Sequence, residues 1–209
     1  MVRTNAAATA VNDRQRQSRD ELYGLVGKAL SQWSDLELKL HLIAIRCWTG
    51  NDLYHTSEIL DSVIAFEAKM KLIGTILRQH SPSEEAVRVW PYFTAYLSKL
   101  KRKRDRIAHS IVTRKKLSET FVLLPFISFA NLDEDAFNGS FSPDDLRSLI
   151  DKFEEATFVA MEFSWLAQGQ QEIPLEGIHE QAQRRFRDLR AKAAQAPTDI
   201  PPPSPSSME

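Results

Sequence analysis

The chain has one cysteine, Cys47, in 209 residues, so an intramolecular disulfide is excluded and cysteine usage gives no sign of an oxidising compartment. No Cys/His spacing resembles a zinc site, and neither a metal nor a cofactor is expected. Long apolar runs are equally scarce. The longest, Phe121 to Ala130, is interrupted by Pro125 and Ser128 and falls far short of the roughly 20 residues that a membrane-spanning helix needs. The first twenty residues lack the hydrophobic stretch of a secretory signal, so the expectation is a soluble cytoplasmic protein with no membrane partner. A Walker loop, a GxGxxG turn, an HExxH helix and a GxSxG elbow are all missing, which leaves cofactor-dependent hydrolases and transferases without their signatures. Overall charge of one sign is missing too. The 27 basic and 28 acidic side chains leave a net charge of -1, which excludes a uniformly basic nucleic-acid binder.

What is present is a chain that is 43% hydrophobic and long enough to bury a sizeable core. The ends differ from the middle. Residues 1–18 carry only Met1, Val2 and Val11 as larger apolar side chains and are expected to be disordered. From Ala191 the chain is mostly Ala, Pro and Ser, with five of its ten prolines, and 191–209 is expected to be an extended, solvated tail. Between them, 19–170 is expected to form one helical domain. Residues 171–190 then form a linker or a helical extension, with Glu180 to Lys192 charged enough for the latter.

Periodicity carries the fold. Leu22, Val26, Ala29, Trp33, Leu36, Leu40, Ile43 and Cys47 follow alternating steps of four and three, the spacing of a helix face that packs on other helices; Gly50-Asn51-Asp52 ends it. A second helix carries Ile59, Val63, Phe66, Met70, Ile73 and Leu77, with Thr56 or Ser57 as its cap. Ser81-Pro82-Ser83-Glu84-Glu85 reads as a turn and a fresh helix start. Pro91 should break or kink that segment, leaving a third main helix from about Tyr92 to Ser110. Ile111–Thr113 and Thr120–Phe129, rich in β-branched and aromatic residues around a polar turn, suggest a hairpin. Ser142-Pro143-Asp144-Asp145 is a strong helix start, followed by Leu146, Leu149, Ile150, Phe153, Ala156, Thr157 and Ala160 on one side. The fold class expected is therefore all-α: an up-and-down bundle of four to five helices with a small hairpin after the third main helix.

One residue does not suit its stripe. Phe93, Leu97, Leu100, Ile107 and Ile111 share a face with Arg104, and a buried unpaired guanidinium is costly. The plain explanation is a side chain that snorkels at the end of the core. Yet Arg104 opens the string Arg104-Asp105-Arg106-Ile107-Ala108-His109-Ser110, which resembles the RxxxxH motif of the HEPN superfamily. The Trp33-Ser34-Asp35-Leu36-Glu37 and Phe66-Glu67-Ala68-Lys69 segments in the helices before it are similar to that family's surroundings, and the resemblance covers roughly residues 19–165. It implies a four- or five-helix bundle, usually a homodimer. Many members of the superfamily are metal-independent ribonucleases of defence or toxin–antitoxin systems, with a cognate antitoxin or defence partner; others are non-catalytic RNA-binding or scaffold dimers. One departure is Ile111, where the subgroup paired with a nucleotidyltransferase antitoxin has a tyrosine, so the resemblance lends no support to regulation at that position.

The residue chemistry fits RNA cleavage. Metal-independent cleavage needs a base for the 2′-hydroxyl, an acid for the leaving oxygen and positive charge on the phosphorane. A histidine, here His109, is the side chain suited to either proton role near neutral pH, and Arg104 matches phosphate with a planar fork. A two-fold dimer would supply a second copy of both. Asp105, four residues before His109, either orients the imidazole or makes a surface pair with Lys101 or Arg102. Glu37 is the second-tier candidate. Lys99 to Lys116 holds nine basic residues and one acid, whereas Leu117 to Glu162 holds ten acids and two bases. The near-zero total thus hides a local basic segment, and Lys101, Arg102, Lys103 and Arg106 are the expected RNA contacts.

Overall fold

The computed structural model describes residues 3–48, 53–114, 120–125, 139–170 and 180–196. Among them are six helices, α1 (Arg3–Cys47), α2 (Leu53–Ser62), α3 (Phe66–His80), α4 (Glu84–Ala108), α5 (Pro143–Ala167) and α6 (Glu180–Gln195), and a hairpin of β1 (Ser110–Arg114) and β2 (Phe121–Pro125). The fold is all-α with a small β excursion where the sequence placed it. The strands are antiparallel, with Ser110 opposite Pro125 and Arg114 opposite Phe121. The strand end at 126–129, the hairpin tip, the turn at Gly50-Asn51-Asp52 and the tail from Pro197 lie outside the described residues. Among those described, no helix is long and apolar enough to cross a membrane.

The apolar stripe of α1 is buried from Leu22 through Trp33 to Cys47, and α5 is its main cover. Glu21 bonds Arg147, the Trp33 ring meets Phe153 edge-on at 5.3 Å, and Arg46 donates to Ser164 at 2.7 Å. α1 and α5 therefore run the same way. α3 runs with them, as Trp33 against Phe66 and Trp48 against His80 show. α4 runs against them, placing Lys101 by Glu67 of α3 and Phe93 on Phe163 of α5. Short α2 doubles back from α1, bringing Asp61 to His41. The first five helices thus alternate in direction.

That alternation corrects the single second helix expected over 59–77. Residues 63–65 are not helical, and Ala65 has an extended backbone before α3. The break rephases the stripe, so that Leu60 is fully buried and Ile59 is 43% exposed. Thr56 and Ser57, expected as caps, lie inside α2. Pro91 neither ends nor starts a helix: α4 passes through it. Losing one donor costs about 3 kcal/mol, but Val89, Trp90 and Phe93 around it are all buried at roughly 1.5–3 kcal/mol each. Ser83, whose hydroxyl accepts from the Ala86 N–H at 3.2 Å, caps this longer helix. α1 reaches back to Arg3, through the segment expected to be disordered; Ala6, Ala7, Ala8 and Ala10 there have the highest helix propensity.

α5 starts as expected. Ser142 caps it with a complete capping box to Asp145, and Pro143 occupies the first turn. Its far end closes on Gly169 (φ 76°), with Gly169 N–H to Leu166 O at 2.9 Å and Gln170 N–H to Trp165 O at 3.1 Å, the paired bonds of a Schellman ending. Of the 171–190 extension, the part from Glu180 is more than an appendage. α6 lays Ala182, Phe186, Leu189 and Ala193 into the core and is pinned by Arg185–Glu155 at 2.8 Å and Arg190–Glu85 at 2.6 Å. Burial, together with the charge of Glu155, raises the Tyr96 phenol at this latch against the pull of Arg185.

Helices α3 and α4 touch where Gly74 faces the Trp90 indole; a Cβ there would lie 2.6 Å from Nε1. Gly74→Ala is expected to lose about 1–3 kcal/mol by overpacking, despite a helix-propensity gain of about 1 kcal/mol. A thermal melt would read this as a fall of roughly 2–4 °C per kcal/mol, and Trp90→Phe in the same chain should recover part of it. An unchanged midpoint in the single variant would show that the indole moves aside freely.

Candidate active site at the end of α4

The last turn of α4 sets the candidate residues on different sides. Leu100 and Ile107 are buried, fixing the inward face, and Arg104 lies between them with a side chain 36% exposed. Its Nε is buried without an acceptor among the described residues, while Nη1 reaches Asp105 Oδ1 at 3.3 Å. Asp105 also takes Lys101 Nζ at 2.9 Å, and Lys101 in turn reaches Glu67 of α3 at 3.3 Å. The result is a chain of four alternating charges along the α3/α4 seam. Burial alone would raise the Asp105 carboxyl, but hydrogen bonds and charge from Lys101 and Arg104 outweigh it and hold the group below the ordinary carboxylate range. Of its two sequence readings, Asp105 takes the ion pair: its partners are Lys101 and Arg104.

His109 is the one-residue joint between α4 and β1. Its backbone leaves helical geometry at φ -110° and ψ 36°, while its N–H still bonds Asp105 O at 3.1 Å. The Ser110 hydroxyl bonds back to Arg106 O and closes the same turn. The His109 side chain is exposed, about 7.5 Å along the axis from Arg104 and about 140° around it. Among the described residues the Arg104 fork bonds Asp105 and not His109. A phosphate between them, or a second chain, would have to complete the constellation.

Glu37 does not join this group. It sits with His41, Asp61 and Lys69 between α1, α2 and α3. There the His41 Nδ1 lies 3.6 Å from Asp61, and Nε2 is buried without a partner among the described residues. Burial pulls this imidazole below its ordinary value, with Lys69 adding to the effect and Asp61 and Glu37 opposing it.

The four expected RNA contacts divide as well. Lys101 is spent on Glu67 and Asp105. Arg102 and Lys103 are exposed. Arg106 donates to Gly139 O at 2.7 Å and lies 5.1 Å over the Phe141 ring. Lys103 and Arg106 line a cavity of about 250 Å³ together with Ser140, Phe141, Asp145, Ser148 and Lys152. Sequence reasoning missed Lys152 and Ser148, because Lys152 was one of two bases in an acidic segment; their four-residue spacing on α5 was the available signal. Among the described residues, the acids of that segment do not neutralise the basic run in bulk. Asp144 pairs with Arg147 and Glu155 with Arg185, leaving Asp145 to face Lys103 and Lys152.

The long stripes on α1 and α4, each regular enough for a dimer face, are both consumed in the chain's own core. The larger apolar side chains left outside include Leu38, Ile59, Ile64 and, two residues past His109, Ile111 at 40% exposure. The chain matches no protein-family model, and no curated protein or solved structure is significantly similar to it.

Proposed function

We propose that the chain is a metal-independent endoribonuclease that acts as a homodimer, with Arg104 and His109 of both copies in one groove. The observation that carries this reading is Arg104: its position in the packing stripe leaves Nε buried without an acceptor among the described residues, while the side chain stays 36% exposed with Nη1 turned to Asp105. A phosphate oxygen is a natural acceptor for such a group. In the reaction, one His109 takes the 2′-hydroxyl proton as the 2′-oxygen bonds to phosphorus. The P–O5′ bond breaks, and the protonated His109 of the second copy delivers its proton to O5′. The products are a 2′,3′-cyclic phosphate and a 5′-hydroxyl end. Arg104 balances the charge of the phosphorane. Asp105 holds the Arg104 fork in place rather than touching substrate.

A second reading, a non-catalytic RNA-binding dimer, draws support from the Glu67–Lys101–Asp105–Arg104 chain, which would occupy Arg104 structurally. The two readings differ in a cleavage assay. Purified protein in EDTA is expected to cut single-stranded RNA to cyclic-phosphate ends, and light scattering to give twice the chain mass. An inert dimer that retains RNA would select the binding reading; a strict monomer would end the two-copy groove.

A further inference from the structure

The cavity beside the motif is on a different face of α4 from Arg104. Three elements build it. Lys103 and Arg106 come from α4, Asp145, Ser148, Leu149 and Lys152 from α5, and Gly139 to Phe141 form the remaining wall. That wall is fixed: Phe141 exchanges two backbone bonds with Leu123 of β2 at 2.9 and 3.0 Å. Arg106 is fixed in turn, bonded to Gly139 O and stacked on Phe141, and a Cβ at Gly139 would lie only 3.0 Å from its Nη2. Three cations converge on this space against one carboxylate. Asp145 turns its Oδ2 to the α5 cap, accepting from the backbone N–H and hydroxyl of Ser142 at 2.9 and 2.7 Å, and its single negative charge is outnumbered by the three cations. The capping box also satisfies that helix start, which leaves the side chains to meet a ligand's charge.

From this arrangement we infer that the cavity is a phosphate-binding subsite. Lys103 and Lys152 act as point charges from opposite walls, Arg106 is a preset fork, and the Ser148 hydroxyl is an added donor. A volume of about 250 Å³ is below the 300–1,000 Å³ of pockets that enclose whole drug-sized ligands. It suits one phosphoryl group with its ester substituent. Lys103, Arg106 and His109 follow one another at three-residue intervals, each step about 4.5 Å along the helix. A strand held by its phosphate here passes directly to the imidazole. The choice of an RNA strand as the source of the phosphate rests on the ribonuclease reading; the alternative source is a free nucleotide.

The test uses the full chain carrying His109→Ala, so that binding is read without cleavage. A labelled single-stranded RNA is followed by fluorescence anisotropy across a salt series, and AMP by calorimetry. Removing two phosphate contacts through Lys103→Gln with Lys152→Gln should weaken RNA binding roughly 25-fold at about 0.1 M salt and flatten the log–log salt slope by about 1.4. Lys28→Gln with Lys99→Gln, an equal charge change on exposed residues outside the cavity, should cost much less. If the cavity variant instead loses AMP while RNA affinity is unchanged, a free nucleotide is the source and the subsite stands. Equal losses in the two double variants, or no loss of either probe, would overturn it. Because every arm is read without catalysis, failure of RNA cleavage in the unsubstituted chain would remove the ribonuclease reading and leave this result intact.

Discussion

Replacing His109 with alanine is expected to lower the proposed RNA cleavage by about 10²- to 10⁴-fold, the range that a positioned proton-transfer group contributes, and to leave the fold unchanged. The imidazole is exposed, and the bond the residue makes in its turn comes from its backbone, so an alanine keeps it. Surface changes of this kind stay within about 0.5 kcal/mol. Circular dichroism and the thermal midpoint should therefore match wild type while activity is lost. The pH profile of kcat/KM adds a second readout. If one imidazole serves as base and its copy as acid, the profile is bell-shaped, with limbs that belong to the pair rather than to either residue. Equal cleavage by wild type and His109→Ala would end the assignment.

Arg104→Leu separates function from stability in the opposite direction. Leucine completes the run of Leu97, Leu100 and Ile107 and removes the buried Nε that has no acceptor among the described residues. Exchanging a charged group for a packed apolar one gains 1–4 kcal/mol when the site is fully buried; a half-exposed site at the core's edge should gain about 1 kcal/mol. The denaturant midpoint is expected to rise while cleavage falls at least about 100-fold, the scale of losing a transition-state donor. Arg104→Lys should lose much of the activity too, since an ammonium keeps the charge but not the planar fork. A large loss of stability in Arg104→Leu would instead identify the ion-pair chain to Glu67 as the reason for the arginine.

Much of this fold was legible because it is periodic. The stripe on α1 names its buried residues almost one for one, those on α4 and α5 name about half of theirs, and the Ser142-Pro143-Asp144-Asp145 cap is a local signal independent of tertiary context. The failures occur where packing overrides local preference. Residues 63–65 contain no glycine or proline, so nothing in the sequence marks the break between α2 and α3; it is imposed by Leu60 and Phe66 both reaching the core. Pro91 is the converse case, a breaker outweighed by its buried neighbours. At the candidate site, spacing correctly separates Arg104 from His109 by more than a turn. Spacing offered Lys101 as a partner of Asp105 but could not foresee that Glu67 of α3 would take the same lysine, nor that a lysine from the acidic α5 would oppose Lys103, since both depend on how helices distant in sequence meet.

The parallel course of α1 and α5 has a bearing on the order of synthesis. Glu21 and its partner Arg147 are 126 residues apart, a stretch that takes roughly 6–25 s to translate at about 5–20 residues per second. Throughout that interval the first helix made has no cover for the side of its stripe that α5 will occupy. Leu22, Ala29, Trp33 and Leu36 are then open to chaperones or to another nascent chain. The residues that make the core of the finished protein are its chief hazard while it is being made.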